Sequence, residues 1–434
     1  MTPDQAEDVL VALPHLRLIL GALNEAGAKY EQPDESAALG LARVRLPSPP
    51  LAAEALEQWQ RSAGPGSTGS FHGRPPPEAT DARSLDRILW SLRAGFSIRY
   101  AGWTPTIGKN RPVASVVGEE NSGPGVAGAG EVSHGGGGAP RAVTSHQPWA
   151  ATREAAPGNG IHVGVVDTPI QSHRYLSGAW VGRYSDRLAD TTGPSYAEAG
   201  HATFVCGLVL QHAPGAALHV RRLLDDRGRA DSWIAAQEIV EAGRAGIDVL
   251  NLSFVCYTDD SEAPMALSAA IDRLSPDIVV VAAAGNHGFL RDGREYKPAW
   301  PAALDDVIAV GASKEHGEHT PADFTPKGPW IDVLAPGENL VSTYLKGGVL
   351  VWNDDASEPN RREQAFSGYA RWSGTSFSAA GVSGELAARA RPGRLTAREA
   401  CDEMLQTARE EQRKRGLPED PVYLRPGQFG RDRR

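Results

Sequence analysis

Residues 277–286, DIVVVAAAGN, are a short run of apolar, largely β-branched or small residues that ends in Gly-Asn. Three further runs have the same character, namely residues 161–167 (IHVGVVD), 217–224 (ALHVRRLL) and 247–254 (IDVLNLSF). Helical patterns lie between them, at residues 232–245 and 263–274. Near-continuous apolar strands that alternate with helices are typical of a parallel sheet covered on both faces. The chain after Ala150 is therefore predicted to be a three-layer α/β domain with a central, mostly parallel sheet.

The composition excludes several classes of protein. The chain has 434 residues, of which 41% are hydrophobic, so a large core is possible. Its net charge is −9, from 44 basic and 53 acidic residues, and no basic block points to a nucleic-acid partner. The three cysteines cannot form a disulfide framework and lack metal-ligand spacing, which predicts a reducing compartment; they are Cys206, Cys256 and Cys401.

The N-terminal sequence bears on localisation. Residues 1–23, MTPDQAEDVLVALPHLRLILGAL, begin acidic, and Pro14, His15 and Arg17 interrupt the apolar run. A secretory signal needs a basic start and an uninterrupted apolar stretch. No other stretch is long and apolar enough to cross a bilayer. We therefore expect a cytoplasmic protein with no membrane partner.

Two segments rich in Gly, Pro and Ser predict linkers, because such compositions bury too little apolar surface to offset the entropy of ordering. They are residues 61–79 and 121–147. The predicted parts are a small α+β domain at 1–60, a helix plus loop at 80–120, the main domain at 148–400, and a C-terminal helix with a charged tail at 401–434. Within the first part we predict strands at 8–13 and 39–46 and helices at 15–26 and 51–60.

The segment between the linkers has a clear helical pattern. Leu85, Ile88, Leu89 and Leu92 recur at helical spacing, and Gly95 is a candidate C-terminal stop. Residues 100–112 contain two prolines and two basic residues, and they predict a solvated surface loop or, alternatively, a docking element.

Four polar residues stand where chemistry is expected in such a fold. Asp167 and Asn286 end predicted strands, His201 begins a helical run, and Ser376 follows Gly374 at the start of another helix. Each alone has an ordinary structural explanation, as a cap or a turn residue. Active residues of parallel sheets, however, gather at the carboxyl ends of the strands. Together these side chains supply the nucleophile, base, orienting carboxylate and amide donor that acyl transfer by a serine requires.

The four motifs around these residues resemble those of the subtilisin-like serine proteases, the subtilases. They are VVDTPI (165–170), GHATFVCG (200–207), AAAGNHG (282–288) and GTSFSAAGVSG (374–384). The resemblance extends over about residues 148–391. It implies that Ser376 attacks a peptide carbonyl, that His201 accepts and returns the proton, and that Asp167 fixes the tautomer of His201. It also implies that the Asn286 amide and the Ser376 backbone N–H stabilise the oxyanion.

The resemblance further implies substrate-binding roles for two short segments. One resembles the strand that pairs with the substrate backbone and the other precedes the oxyanion residue; they comprise Ser253, Phe254, Val255, Ala283, Ala284 and Gly285. Val255 stands where the family usually has glycine. A β-branched residue there is expected to narrow the groove and restrict the residue accepted before the cut.

Other departures from the family pattern leave the reacting side chains in place. Pro169 stands where glycine usually follows the aspartate dipeptide, and Ala202 replaces the glycine beside the histidine. Ala380 and Gly381 replace the usual proline and a common histidine in the nucleophile helix. We expect a shifted fit of the substrate rather than an inactive site.

The resulting hypothesis is an intracellular serine endopeptidase with a regulatory or processing role, acting on peptides or proteins without a cofactor. No dedicated acidic loop predicts a metal site, although structural calcium is common in the family. The alternative is a catalytically weak binding module on the same scaffold. Residues 1–60 are interpreted either as a removable prodomain or as a permanent domain that recruits a substrate or a regulatory partner.

Overall fold

The computed structural model describes residues 8–64, 83–116, 138–143, 156–181, 195–290, 293–315, 319–352 and 361–424. These ranges leave out most of both predicted linkers, a short acidic stretch at residues 354–358 and the end of the charged tail. None of the helices within the described ranges is long and apolar enough to cross a bilayer.

The described strands, in chain order, are β1 Val9–Ala12, β2 Asp34–Ser36, β3 Leu41–Val44, β4 Ile107–Lys109, β5 Pro112–Ser115, β6 Arg141–Ala142, β7 His162–Asp167, β8 Ser195–Tyr196, β9 Ala217–Arg222, β10 Arg229–Asp231, β11 Val249–Leu252, β12 Phe254–Tyr257, β13 Val279–Ala283, β14 Ala299–Trp300, β15 Val307–Ser313, β16 Val333–Pro336, β17 Leu340–Trp352, β18 Arg361–Trp372 and β19 Val422–Tyr423. The helices are α1 Leu16–Ala26, α2 Pro49–Ser62, α3 Ser84–Arg99, α4 His201–His212, α5 Ser232–Gly243, α6 Met265–Ile271, α7 Thr375–Arg389 and α8 Ala397–Lys414. Short 3-10 turns occupy Leu13–His15, Ala197–Gly200 and Arg294–Tyr296.

The chain divides into two compact units. The N-terminal unit contains residues 1–112 with 231–237 and 264–273. The sheet unit contains residues 113–230, 238–263 and 274–434.

The N-terminal unit contains the α+β region predicted at residues 1–60, but it extends to residue 112 and also includes residues 231–237 and 264–273. Its four strands follow the order β2-β3-β1-β4, and all three neighbouring pairs are antiparallel. Helices α1, α2 and α3 contribute Ile19, Leu23, Leu56, Ile88 and Leu92 to one buried cluster. Strand β4 lies in the stretch predicted as a surface loop, so that prediction is wrong for residues 107–109.

Gly95 does not end its helix, contrary to prediction, since α3 continues to Arg99. The reason is packing rather than capping. A Cβ at Gly95 would lie 2.2 Å from the ring of Trp59, so the missing side chain lets α2 and α3 approach closely.

Residues 231–237 are tied into the N-terminal unit by polar contacts. The Asn110 side-chain oxygen accepts hydrogen bonds from the Ser232 hydroxyl at 2.9 Å and the Trp233 backbone N–H at 3.0 Å. Because Asn110 is buried, these bonds satisfy an oxygen that would otherwise be costly to desolvate. They fix the end of the N-terminal chain segment on the first turn of α5.

The sheet unit contains the predicted central sheet. Seven strands follow the order β19-β16-β15-β13-β11-β7-β9, and every neighbouring pair is parallel. Helices lie on both faces. The inner strands are almost completely buried, which explains why they read as continuous apolar runs rather than alternating ones. The predicted fold class is confirmed.

Smaller elements complete this unit. A four-stranded sheet follows the order β10-β5-β12-β14, and β17 and β18 form a long antiparallel hairpin flanked by β6 and β8. Strand β6 lies within residues predicted as linker. The predicted C-terminal helix corresponds to α8, which starts before the predicted boundary at residue 401. It begins at a capping box formed by Thr396 and Glu399 and buries Ala400 and Met404.

Candidate active site

Asp167 is the last residue of β7, at the carboxyl edge of the central sheet. Its side chain is fully buried and accepts a hydrogen bond from the Thr168 backbone N–H at 2.6 Å. The Thr168 hydroxyl accepts a bond from the Ala202 N–H at 3.0 Å. The strand end and the first turn of α4 are thereby held together, which sets the carboxylate against the next side chain.

That side chain is His201, the first residue of α4. Its Nδ1 lies 2.8 Å from both carboxylate oxygens of Asp167. Because a carboxylate accepts, Nδ1 carries the proton, and Nε2 is left with a lone pair in the neutral ring. Nε2 is buried and has no hydrogen-bond partner within the described part of the chain. The pair therefore has the orientation of a general base and its orienting carboxylate.

Ser376 is the second residue of α7, where free backbone N–H groups and the helix dipole favour negative charge. Its hydroxyl donates to the Ser253 carbonyl at 3.3 Å, and the Ser253 hydroxyl donates to the Ser376 carbonyl at 3.1 Å. The next residue, Phe377, packs on His201 with ring centroids 5.5 Å apart. The helix start that carries the hydroxyl is thus packed against the imidazole.

Asn286 follows β13 and is held at both ends of its amide. Its side-chain oxygen accepts from the Thr375 backbone N–H at 3.0 Å and the Thr375 hydroxyl at 3.2 Å. This fixes the Nδ2 group, which donates to the Val116 carbonyl oxygen at 3.3 Å. An amide donor beside Ser376 and directed at a backbone carbonyl is what oxyanion stabilisation requires.

The segment that supplies this carbonyl runs between two strands of the sheet unit. Strand β5 pairs antiparallel with β12, with Ser115 opposite Phe254 and Ala114 opposite Val255. On its other side, the Ser115 N–H donates to the Gly228 carbonyl at 2.7 Å. The segment therefore lies as a central strand in the place where the resemblance expects a substrate backbone.

The side chains of this segment alternate in burial. Val113 is 2% exposed and Ser115 and Val116 are fully buried, whereas Ala114 is half-buried. The sequence analysis missed this segment because it lies at the end of residues 80–120, predicted as a helix plus loop. Its apolar character just before a glycine-rich stretch was the one available signal.

Of the six residues predicted to bind substrate, Phe254 and Val255 pair with this segment, Ser253 is hydrogen-bonded to Ser376, and the other three, Ala283, Ala284 and Gly285, directly precede Asn286 in the chain. Ser253 lies between β11 and β12, and Val255 belongs to the same buried cluster as Val116 and Ala283. Ala284 instead packs with Ile331 and Leu334.

A buried polar pair lies behind Gly285, and the sequence analysis did not single it out. The Nε2 of His287 donates to the Lys297 carbonyl at 2.9 Å, so Nδ1 accepts from the Tyr257 hydroxyl at 3.1 Å. Burial lowers the pKa of His287 to about 4 and raises the pKa of Tyr257. A Cβ at Gly285 would lie 2.7 Å from the Tyr257 oxygen, and its φ of +95° also favours glycine.

No cluster of three or more His, Cys, Asp or Glu side chains suited to a metal ion occurs among the residues with described positions.

Comparison with known proteins places these features in a family. The model of the subtilase family matches residues 158–421. Subtilisin BL of Lederbergia lenta is 30% identical over 214 residues, which cover 45% of this chain and 74% of that protein. Thermitase of Thermoactinomyces vulgaris is 30% identical over 266 residues, covering 58% of this chain and 82% of thermitase.

Among solved structures, fervidolysin from Fervidobacterium pennivorans is similar in fold, with a TM-score of 0.50 and 17% identity over 89% of this chain and 55% of that one. The matched residues contain all four motifs quoted above. The chain belongs to the subtilase family and is a serine endopeptidase.

Proposed function

We propose that Asp167, His201 and Ser376 form the catalytic triad of this endopeptidase, and that residues 113–116 occupy its substrate groove as a built-in substrate. The observation that supports the proposal is the position of residues 113–116 beside Asn286 and β12. Strand β5 pairs with β12, and the carbonyl that follows it accepts a hydrogen bond from Asn286.

The proposed reaction follows from the protonation states. The Ser376 hydroxyl first turns from the Ser253 carbonyl to Nε2 of His201, which has no other partner among the described residues. Ser376 Oγ then bonds to the peptide carbonyl carbon while its proton passes to Nε2. Asp167 stabilises the imidazolium, and Asn286 Nδ2 with the Ser376 N–H stabilises the oxyanion. Breakage of the C–N bond delivers the proton to the leaving amine, and a water molecule then hydrolyses the acyl-enzyme in the same manner.

In this arrangement the bond between Val116 and Val117 is the one presented for cleavage. This supports the interpretation of the N-terminal region as a prodomain over that of a permanent recruitment domain, because a recruited partner would need the groove empty. A regulated or processing protease fits such a chain, since the groove must be vacated before another peptide can enter. We also propose a cytoplasmic location, supported by three cysteines that are buried and form no disulfide among the described residues.

The proposal is tested by labelling with a fluorophosphonate probe and by mass measurement of the full chain. Labelling is compared in the wild type, in Ser376→Ala and in an opened chain, defined as the full chain with Val113→Asp and Val116→Asp. Buried unpaired carboxylates are strongly unfavourable, so these substitutions expel the segment from the groove. Ser378→Ala is the matched control, because its buried hydroxyl lies on the same helix but donates to the Ala335 carbonyl.

We expect slow labelling in the wild type, whether or not a serine-dependent cut after Val116 has taken place, and fast labelling in the opened chain. Ser376→Ala abolishes labelling and Ser378→Ala retains it. An opened chain that keeps its thermal transition but takes up no probe would refute the triad and favour the binding module.

A further inference from the structure

We propose that this protease requires a small residue immediately before the P1 residue of its substrate, with Gly228 setting the size limit, and short aliphatic residues at P1 and P4. The inference rests on the proposed function, since it treats residues 113–116 as the P4 to P1 positions. It defines the substrate class as peptides of the form aliphatic, any residue, Ser or Ala, aliphatic, cut after the last.

The P2 position is the most tightly enclosed. Ser115 is fully buried, and its N–H is held by the Gly228 carbonyl at 2.7 Å. A Cβ built on Gly228 would lie 2.5 Å from the Ser115 hydroxyl oxygen and 3.0 Å from its Cβ. The P2 side chain therefore packs directly on the Cα of Gly228, and a longer side chain would meet backbone.

The turn that contains Gly228 cannot shift easily away from the P2 side chain. The Asp225 carboxylate accepts hydrogen bonds from the Arg227 N–H at 2.9 Å and the Arg229 N–H at 2.8 Å, and the Gly228 N–H donates to the Asp225 carbonyl at 3.0 Å. The φ of Gly228 is +73°, a conformation that glycine adopts without strain. The turn is thus closed on both sides of the glycine, and it fixes the depth of the P2 site.

A second wall of the P2 site is also held in place. The Cβ of Glu198 lies 3.4 Å from the position that a Cβ on Gly228 would take. The Glu198 carboxylate is paired with Arg361 at 3.1 Å and is almost fully buried. Moving Glu198 aside would therefore break a buried ion pair, which is costly.

The P2 site selects shape rather than polarity. The Ser115 hydroxyl is buried and has no hydrogen-bond partner within the described ranges. A buried hydroxyl without a partner is less favourable than a methyl group in the same place. Alanine at P2 is therefore expected to be accepted at least as well as serine.

The neighbouring positions differ in a way that provides a control. Val116 is fully buried and belongs to the large apolar core cluster that also contains Val255 and Ala283, so the P1 side chain is enclosed by apolar surroundings. Val113 is 2% exposed, whereas Ala114 between them is half-buried. A larger side chain at P3 can turn toward solvent, and one at P2 cannot.

The experiment measures kcat/KM of internally quenched peptides with the sequence Val-Ala-Ser-Val-Val-Gly, using the opened chain, whose active-site concentration is determined by titrating Ser376 with the probe in a separate sample. The series carries Ala or Leu in place of Ser at P2, Leu in place of Ala at P3, and Phe in place of Val at P1. We expect P2 Ala to equal or exceed P2 Ser, and P2 Leu and P1 Phe to fall about 10- to 100-fold. P3 Leu is expected to stay within about threefold of the parent peptide.

A companion measurement uses the segment in its own chain. In the full chain, Ser115→Leu should accelerate probe labelling of Ser376 about tenfold or more over Ala114→Leu, because only the former cannot be seated. If Ser376 titrates fully but P2 Leu is cleaved as well as P2 Ser, the P2 inference is overturned while the protease assignment stands. If the folded opened chain binds no probe, the proposed function fails and this inference fails with it.

Discussion

Replacing Asn286 with alanine should reduce kcat while leaving KM nearly unchanged. In the structure Asn286 Nδ2 lies 3.3 Å from the Val116 carbonyl oxygen, longer than the range in which such donors act best, about 2.7–3.1 Å. The bond to a planar carbonyl is therefore weak, and it strengthens when the oxygen becomes charged and moves toward the donor. Loss of one such donor costs about 100- to 1,000-fold in kcat, or about 3–4 kcal/mol in the transition state.

The assay is steady-state cleavage of the Val-Ala-Ser-Val-Val-Gly peptide by the opened chain, with and without Asn286→Ala, normalised to titrated Ser376. Circular dichroism melting verifies that both fold. A decrease in kcat below about tenfold, or an effect confined to KM, would refute the oxyanion role of this side chain.

Thr375 provides a graded control for the same reasoning. Its hydroxyl donates to Asn286 Oδ1 at 3.2 Å and accepts from the Gly285 N–H at 3.1 Å, while its backbone N–H independently donates to Asn286 Oδ1 at 3.0 Å. Thr375→Val removes only the hydroxyl bonds, so we expect about a tenfold loss in kcat, between wild type and Asn286→Ala. Thr375→Ser keeps the hydroxyl and should retain more activity than the valine variant.

Three further predictions concern specificity, packing and pH. Val255→Gly should raise kcat/KM for a P1 Phe peptide relative to P1 Val, because it removes a buried β-branched side chain from the strand that pairs with Ala114 and Ser115, directly before P1; an unchanged peptide profile would contradict this. Gly95→Ala should destabilise the folded protein by about 1–3 kcal/mol, because the new Cβ would overlap the Trp59 ring. Gly21→Ala, with open space around the new Cβ, should stabilise it by about 0.5–1 kcal/mol. The melting temperatures of the two variants test this contrast. Burial lowers the pKa of His287 in the folded protein to about 4, below its value of 6.5 in the unfolded chain. As the pH falls from about 6.5 to 4, the unfolded chain therefore binds a proton that the folded chain does not, and the free energy of unfolding decreases by up to about 3 kcal/mol. The melting temperature of Ser376→Ala is measured at pH 7 and pH 4.5, with and without His287→Gln. Between these pH values the melting temperature should decrease less in the variant that carries His287→Gln, and equal decreases would show that His287 does not contribute to the loss of stability.

The sequence identifies the reacting side chains because their signals are local. Asp167 ends one buried strand, Asn286 lies three residues after another, and His201 and Ser376 lie in the first turns of helices, so short motifs carry both the chemistry and the position. The carboxyl ends of parallel strands then bring these motifs together without further information.

The seating of residues 113–116 could not be predicted in the same way. Ala114 pairs with Val255, far away in the chain, and strand pairing of this kind leaves no periodic pattern in a segment of four residues. The prediction for Gly95 was wrong for a related reason. In a sequence, a glycine that ends a helix cannot be distinguished from one that makes room for a side chain of a neighbouring helix, here the Trp59 ring.

The position of residues 113–116 also determines what cleavage after Val116 would achieve. Cleavage after Val116 would turn its carbonyl into a carboxylate, and a negatively charged oxygen binds the Asn286 amide more strongly than a neutral one does. The pairing of β5 with β12 and the bond from Ser115 to Gly228 lie on the acyl side of the cut, so cleavage leaves them intact. The product is therefore held at least as firmly as the substrate. It follows that cutting this bond and opening the groove are separate events, and the second requires removal of the segment itself.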